Sequence, residues 1–158
     1  MHTFEYLINK AMNNTIEIGC DHAGVELKNI IVKYLTEKGW KVSDHGTYSS
    51  ESVDYPDFAH KVANALKTNN LAKGILICGS GNGINITANK HKHIRAALCW
   101  NADIAKLARQ HNDANVLTLP GRFINYDEAL RCVDVFLSTE FEGGRHQKRV
   151  EKITNGLI

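Results

Sequence analysis

Cys78-Gly-Ser-Gly-Asn-Gly83 combines a thiol, a hydroxyl and three glycines in six residues, and it carries the clearest chemistry in the chain. It follows the apolar run Gly74-Ile-Leu-Ile-Cys78 and leads into a helical stretch. Its glycines therefore allow unusual backbone dihedrals at a strand-to-helix turn, with N–H groups able to face an anion or oxyanion. The spacing is G-x-G-x-G, and neither a P-loop lysine nor an acidic ribose anchor follows, which counts against dinucleotides and nucleoside triphosphates. The plainer alternative is a tight glycine turn. Cys78 stands beside a helix N-terminus, where dipole and amide donors favour thiolate, so it is a candidate base or nucleophile. The competing role, a small buried residue closing a strand, suits Cys99 and Cys132 better.

Asp21 and His22, in Gly19-Cys-Asp-His-Ala-Gly24, end another apolar run and could share a crevice with Cys78, although aspartate in that place also caps helices. Cys20 reads as packing. Arg145 and Arg149, at i and i+4 near a helix start, could clamp a phosphate or simply face solvent. His111 and Asn112, within Arg109-Gln-His-Asn-Asp-Ala-Asn115, are expected in a loop. His91 and His93 at i, i+2 do not suit a shared metal, and His2, His45 and His60 lack evident partners, so no metal site is expected.

Strand ends must position these groups. Thr15–Cys20, Lys41–His45, Gly74–Cys78, Arg95–Trp100 and Asn115–Leu119 read as five strands. Between them, Leu27, Ile30, Ile31, Tyr34 and Leu35 follow helical spacing, with Gly39 where a C-terminal cap belongs. Pro56 opens a second helix with Phe58, Val62, Ala63 and Leu66 on one face, and further helices fit residues 84–90, 102–110, 126–138 and 145–154. Such alternation predicts an α/β, three-layer Rossmann-like fold: a five-stranded parallel sheet with helices on both faces, and ligands beyond the strands' carboxyl ends. Residues 1–14 show no clear period and read as an extension preceding a single domain over 15–158.

The 158 residues carry a formal charge of +2 distributed along the chain, which argues against general affinity for nucleic acid or a membrane surface. No apolar run approaches the roughly 20 residues that span a bilayer, and the first ten residues lack a signal peptide's cationic flank and apolar stretch. A cytoplasmic protein is expected. The four scattered cysteines read as reduced thiols.

Together, Gly19-Cys-Asp-His-Ala-Gly24, Gly46-Thr-Tyr-Ser-Ser-Glu51, Asp54-Tyr-Pro56, Ile77-Cys-Gly-Ser-Gly-Asn-Gly83, Arg109-Gln-His-Asn-Asp113 and Glu142-Gly-Gly-Arg-His146 resemble the type B ribose-5-phosphate isomerases, from about Thr15 to Ile153. The related galactose-6-phosphate isomerase subunits usually lack the Gln-His-Asn segment and the Gly-Gly-Arg-His helix start, both present here. Members that use a glutamate base carry it where this chain has Ile84, so the cysteine variant is implied. Ser80 replaces a frequent threonine and keeps the hydroxyl.

The resemblance implies interconversion of ribose 5-phosphate and ribulose 5-phosphate in the non-oxidative pentose phosphate pathway, by ring opening and proton transfer through a cis-enediol, with no cofactor. It implies Cys78 as carbon base, Ser80 as proton shuttle between O1 and O2, and the amides of Gly79, Ser80, Gly81, Asn82 and Gly83 as enediolate donors. His111 would protonate the ring oxygen, Asp21 would accept the O1 proton and Asn112 would orient the open sugar. His22 and Tyr55 would line the pocket, and Arg122, Arg145 and Arg149 would hold the phosphate. It further implies a homodimer or dimer of dimers whose active site lies at the subunit interface. The alternatives are an isomerase of a six-carbon aldose phosphate, such as allose or galactose 6-phosphate, and a non-catalytic sugar-phosphate-binding module.

Overall fold

The structure, a computed structural model, describes residues 2–156. Helix α1 (His2–Asn13) precedes β1 (Thr15–Cys20), a short 3-10 turn (His22–Gly24) and α2 (Val25–Glu37). Then come β2 (Lys41–Asp44), α3 (Tyr55–Thr68), β3 (Lys73–Cys78), α4 (Asn82–Ala88), β4 (Ala96–Leu98), α5 (Ala102–Asn112) and β5 (Val116–Pro120). Helices α6 (Tyr126–Ser138) and α7 (Arg145–Asn155) close the chain.

The expected strands and core helices are present, with ends that move by at most two residues. One expectation needs correction. The segment read as aperiodic is helical from His2 to Asn13, and Phe4, Leu7 and Ile8 already stand at helical spacing within it. All three remain exposed, so the helix forms without burying that stripe in the core.

The sheet has the order β2-β1-β3-β5-β4, and every neighbouring pair is parallel. From β1 the chain moves outward to β2, then returns past β1 to β3, so the strand order reverses between β1 and β3. A crevice opens at such a point beyond the carboxyl ends. Asp21 follows β1 and Cys78 ends β3, and the register Cys20↔Ile77 sets them side by side.

Period-two alternation divides the core between the two faces. Ile75 and Ile77 of β3 pack with Ile16, Ile18, Leu117 and Leu119 against α2, α5 and α6. Leu76 and Cys78 point to the opposite face with Val62, Leu66 and Ile84 from α3 and α4. Each fully buried Ile or Leu contributes about 1.5–3 kcal/mol, so the three central strands are firmly held in register. Cys78 is thus anchored by the sheet while its thiol faces the α3/α4 layer below the glycine loop.

Candidate active site

At the carboxyl end, backbone geometry positions the reactive groups. Asp21 N donates to Ile77 O at 3.1 Å, and Cys20 N donates to Gly46 O at 2.7 Å, joining the ends of β1, β2 and β3. Asp21 is buried, and its Oδ1 accepts from Ala23 N at 2.9 Å. It therefore caps the 3-10 turn, the plainer of the two roles weighed for it, while the strand register sets it beside Cys78. His22 Nδ1 accepts from Val53 N at 3.2 Å, tying the imidazole to the segment that leads into Tyr55.

After Cys78 the chain passes through Gly79 and Ser80 to Gly81, whose φ of 79° is left-handed and ends the loop one residue before α4. A side chain there would be strained and would run into Leu98. Gly83 is open for a different reason, because any Cβ on it would strike the ring of Tyr55. Asn82 N donates to Ser80 Oγ at 3.2 Å, which fixes the hydroxyl at the loop's rim. On the far side, Gly121 N donates to Cys78 O at 2.8 Å and Arg122 N to Gly79 O at 3.0 Å, and the Arg122 guanidinium lies against Gly79. Asp21, His22, Tyr55, Cys78, the glycine loop and Arg122 thus form one cluster.

His111, Asn112, Arg145 and Arg149 form another, at the opposite end of the sheet. His111 and Asn112 are the last two residues of α5, not loop residues as expected. The reason is the buried guanidinium of Arg109, which donates to Asp113 Oδ1 at 2.9 Å, Ala114 O at 2.6 Å and Thr139 O at 3.1 Å. Asp113 closes the helix with φ 46° and also binds Arg95 at 3.1 Å. These bonds carry the helix two residues further than apolar periodicity indicates. Since α5 runs back to the start of β5, its end lies where Gly74 N meets Asn115 O at 2.9 Å. Cys78 is four residues up β3 from Gly74, roughly 13 Å at about 3.3 Å per residue.

Helix α7 begins in this second cluster. His146 stacks on His111 with ring centroids 4.2 Å apart and planes 13° from parallel. Burial, then His111 and Arg145, push the His146 imidazole below the usual histidine range, which keeps it neutral near pH 7. Arg145 and Arg149 extend from the same helix into solvent. Among the described residues, His111, Glu142 and His146 bring three ligating atoms within 4.8 Å of one another. Two nearly parallel rings cannot both aim a lone pair at one ion until one turns, so the stack is not preshaped for a metal.

Sequence reasoning gave no role to Arg95, Arg109, Asp113, Glu142 or His146, all of which shape this end. It also left His45 and His60 without partners. His45 Nε2 lies 2.6 Å from Glu17, and His60 Nδ1 lies 2.7 Å from His91. These partners are 28 and 31 residues away, joined only by the parallel register and by α3 packing on the turn after α4. All four cysteines are free thiols. Burial pushes Cys20, Cys99 and Cys132 up to about 12, so those three stay protonated packing groups.

A parallel α/β sheet with a glycine loop and a thiol at its switch point defines the class to which this protein belongs. The profile of the ribose/galactose isomerases matches residues 16–153, and the chain belongs to that family. It is 50% identical to ribose-5-phosphate isomerase B of Escherichia coli over 139 residues, 88% of this chain and 93% of that protein. A ribose 5-phosphate isomerase structure from Thermotoga maritima superposes with a TM-score of 0.87 at 54% identity, covering 89% of this chain and 97% of that one. The ribose-5-phosphate isomerase B from Mycoplasma genitalium, solved with bound ribulose-5-phosphate, gives 0.86 at 48% identity over 89% and 94%.

Proposed function

We propose that the protein is an aldose-ketose isomerase that interconverts ribose 5-phosphate and ribulose 5-phosphate, acting in the cytoplasm within the pentose phosphate pathway. The observation that carries this reading is the alignment of Cys78, Asp21 and the glycine loop at the switch point, in a chain 48% identical to a relative solved with bound ribulose-5-phosphate. His111 gives a proton to the ring oxygen as Asp21 takes the one on O1, which opens the furanose. Cys78 thiolate then removes the C2 proton, and the electron pair moves to the C1 carbonyl to give the cis-enediolate. The amides of Gly79 to Gly83 stabilise its negative charge, and Ser80 moves a proton between O1 and O2. Returning the proton from Cys78 to C1 gives the ketose. Asn112 orients the open chain, His22 and Tyr55 line the pocket, and Arg122, Arg145 and Arg149 hold the phosphate, whose binding energy sets C2 against the thiol.

This mechanism needs both clusters, which lie at opposite ends of the sheet within one chain. We infer that a two-fold homodimer, alone or paired into a dimer of dimers, brings the His111 cluster of one subunit to the Cys78 cluster of the other. Apolar side chains left exposed near the carboxyl end support this reading, with Phe123 at 76%, Trp100 at 57% and Tyr55 at 40%. No described helix is long and apolar enough to cross a membrane. The domain is taken to span 15–158, with α1 as an appendage outside the family match.

The test is direct conversion of ribose 5-phosphate, followed by the appearance of the ketose. Turnover is expected. Binding of ribose 5-phosphate without conversion would overturn the enzymatic reading and leave a sugar-phosphate-binding module.

A further inference from the structure

Lys90-His-Lys-His93 plays no part in the proposed reaction. The turn that carries it, between α4 and β4, folds over the end of α3. With Leu66, Lys67 and Asn70 it lines an open cavity of about 560 Å³. Among the described residues, every titratable side chain in that wall, Lys67, His91, Lys92 and His93, is a base, and no carboxylate lines it. A second hollow of about 220 Å³ shares His91 and Lys92 and adds Lys90, with only Ile153 and Thr154 reaching it from α7.

The imidazoles are held in place. His93 Nε2 donates to Ala63 O at 2.6 Å, because a carbonyl can only accept, which fixes that tautomer. His91 Nε2 and His60 Nδ1 share a 2.7 Å hydrogen bond that one proton satisfies. We propose that this cavity binds a compact phosphate-bearing anion, at a site separate from both clusters of the isomerase.

Several observations favour an anion over a merely solvated basic face. The wall is concave, and its volume falls in the range of about 300–1,000 Å³ found for small-molecule sites. Its cations have no acidic partner within it, so their mutual repulsion is relieved when an anion enters. Two of its histidines are positioned by bonds to α3 rather than by solvent. The site stands independently of the catalytic reading.

Proton linkage gives the site a signature. Burial first, then His60, His93 and Lys67, push His91 below the ordinary histidine value. The groups facing it are His60 and Lys67 from α3 and Lys90, Lys92 and His93 from its own turn, all bases. A bound dianion reverses that field and favours protonated His91, so binding takes up a proton and tightens as pH falls.

The experiment is an NMR titration of the full chain with inorganic phosphate, and separately with pyrophosphate, at constant ionic strength. The imidazole signals of His91 and His93 report on this cavity alone. Both are expected to move saturably, and the affinity per phosphate dianion, corrected for phosphate's own protonation over this range, should be several-fold higher at pH 6.0 than at pH 8.0. Tighter binding of pyrophosphate would mean that two phosphoryl groups fit, and equal binding that one is read; either supports the site. Lys67→Gln should weaken the response at least about fivefold while leaving isomerase turnover unchanged. The proposal is overturned if the His91 and His93 signals stay still at 20 mM phosphate, if chloride at matched ionic strength moves them equally, or if Lys67→Gln leaves the titration unaltered.

Discussion

At the carboxyl end of the sheet, Asp21, Cys78 and the glycine loop are placed by strand termini and main-chain bonds such as Asp21 N to Ile77 O and Gly121 N to Cys78 O. At the amino end, His111 and Asn112 hang from a helix terminus held by Arg95, Arg109 and Asp113, and the Arg pair rides on a helix that starts from two left-handed glycines, Gly143 and Gly144. One end is fixed by backbone in a packed core, the other by ion pairs of charged side chains around the buried Arg109 guanidinium. The contrast suits the chemistry proposed for each. A carbon base needs sub-ångström placement against C2, whereas a phosphate clamp acts through charge and tolerates adjustment.

The largest expected effect comes from the backbone-fixed end. Cys78→Ala should lower turnover by about 10²-fold or more while leaving sugar-phosphate binding nearly intact, as expected for loss of a positioned proton-transfer group. Steady-state rates together with substrate affinity by calorimetry check it, and near-normal turnover would remove Cys78 from the base role. Mixing inactive Cys78→Ala and His111→Ala chains tests whether the two ends meet across an interface. Random exchange makes about half the dimers mixed, each with one intact site of two, so activity should recover to about a quarter of wild type. If mass spectrometry shows exchanged subunits and the mixture stays inactive, the two ends do not cooperate in this way.

At the charged end the effects should be graded. Arg145→Ala and Arg149→Ala should each raise KM by roughly five- to 150-fold, the kinetic equivalent of about 1–3 kcal/mol of charge-assisted binding, with a smaller loss of turnover. An unchanged KM would return the pair to a solvated helix face.

The same contrast explains what the sequence could reveal. Strand ends were legible because buried alternation such as Ile16, Ile18 and Cys20 on one face announces them, and α6 runs from Tyr126 to Ser138 as its apolar spacing indicates. The place of the switch point was not legible, since the strand order β2-β1-β3-β5-β4 that sets it emerges only from the folded sheet. The C-terminal end of α5 was not legible, because it depends on Arg109 reaching Thr139 O, 30 residues away, and on Asp113 bridging two arginines. Long-range polar contacts of this kind leave no periodic trace. The same holds for the pairs His45 with Glu17 and His60 with His91. Helix α1 is a different failure, since Phe4, Leu7 and Ile8 carried the signal.

The smallest effect tests the charged end without touching a proposed catalytic group. Asp113→Asn keeps a side chain that tolerates the left-handed conformation at φ 46°, so it removes charge while sparing the helix stop. Arg109 would keep its bonds to Ala114 O and Thr139 O, at 2.6 and 3.1 Å, but lose its carboxylate in a buried setting. The expected cost is about 1–2 kcal/mol, because Asp113 is partly exposed and water screens part of the interaction. That corresponds to a fall in Tm of roughly 2–8 °C for a chain of this size. With α5 less firmly ended, His111 should lose alignment, and turnover of the cyclic sugar should fall several-fold while the rate of Cys78 alkylation stays constant. A change in Cys78 reactivity equal to the change in turnover would mean that the two ends are mechanically continuous, and that backbone and charge do not divide the site as described.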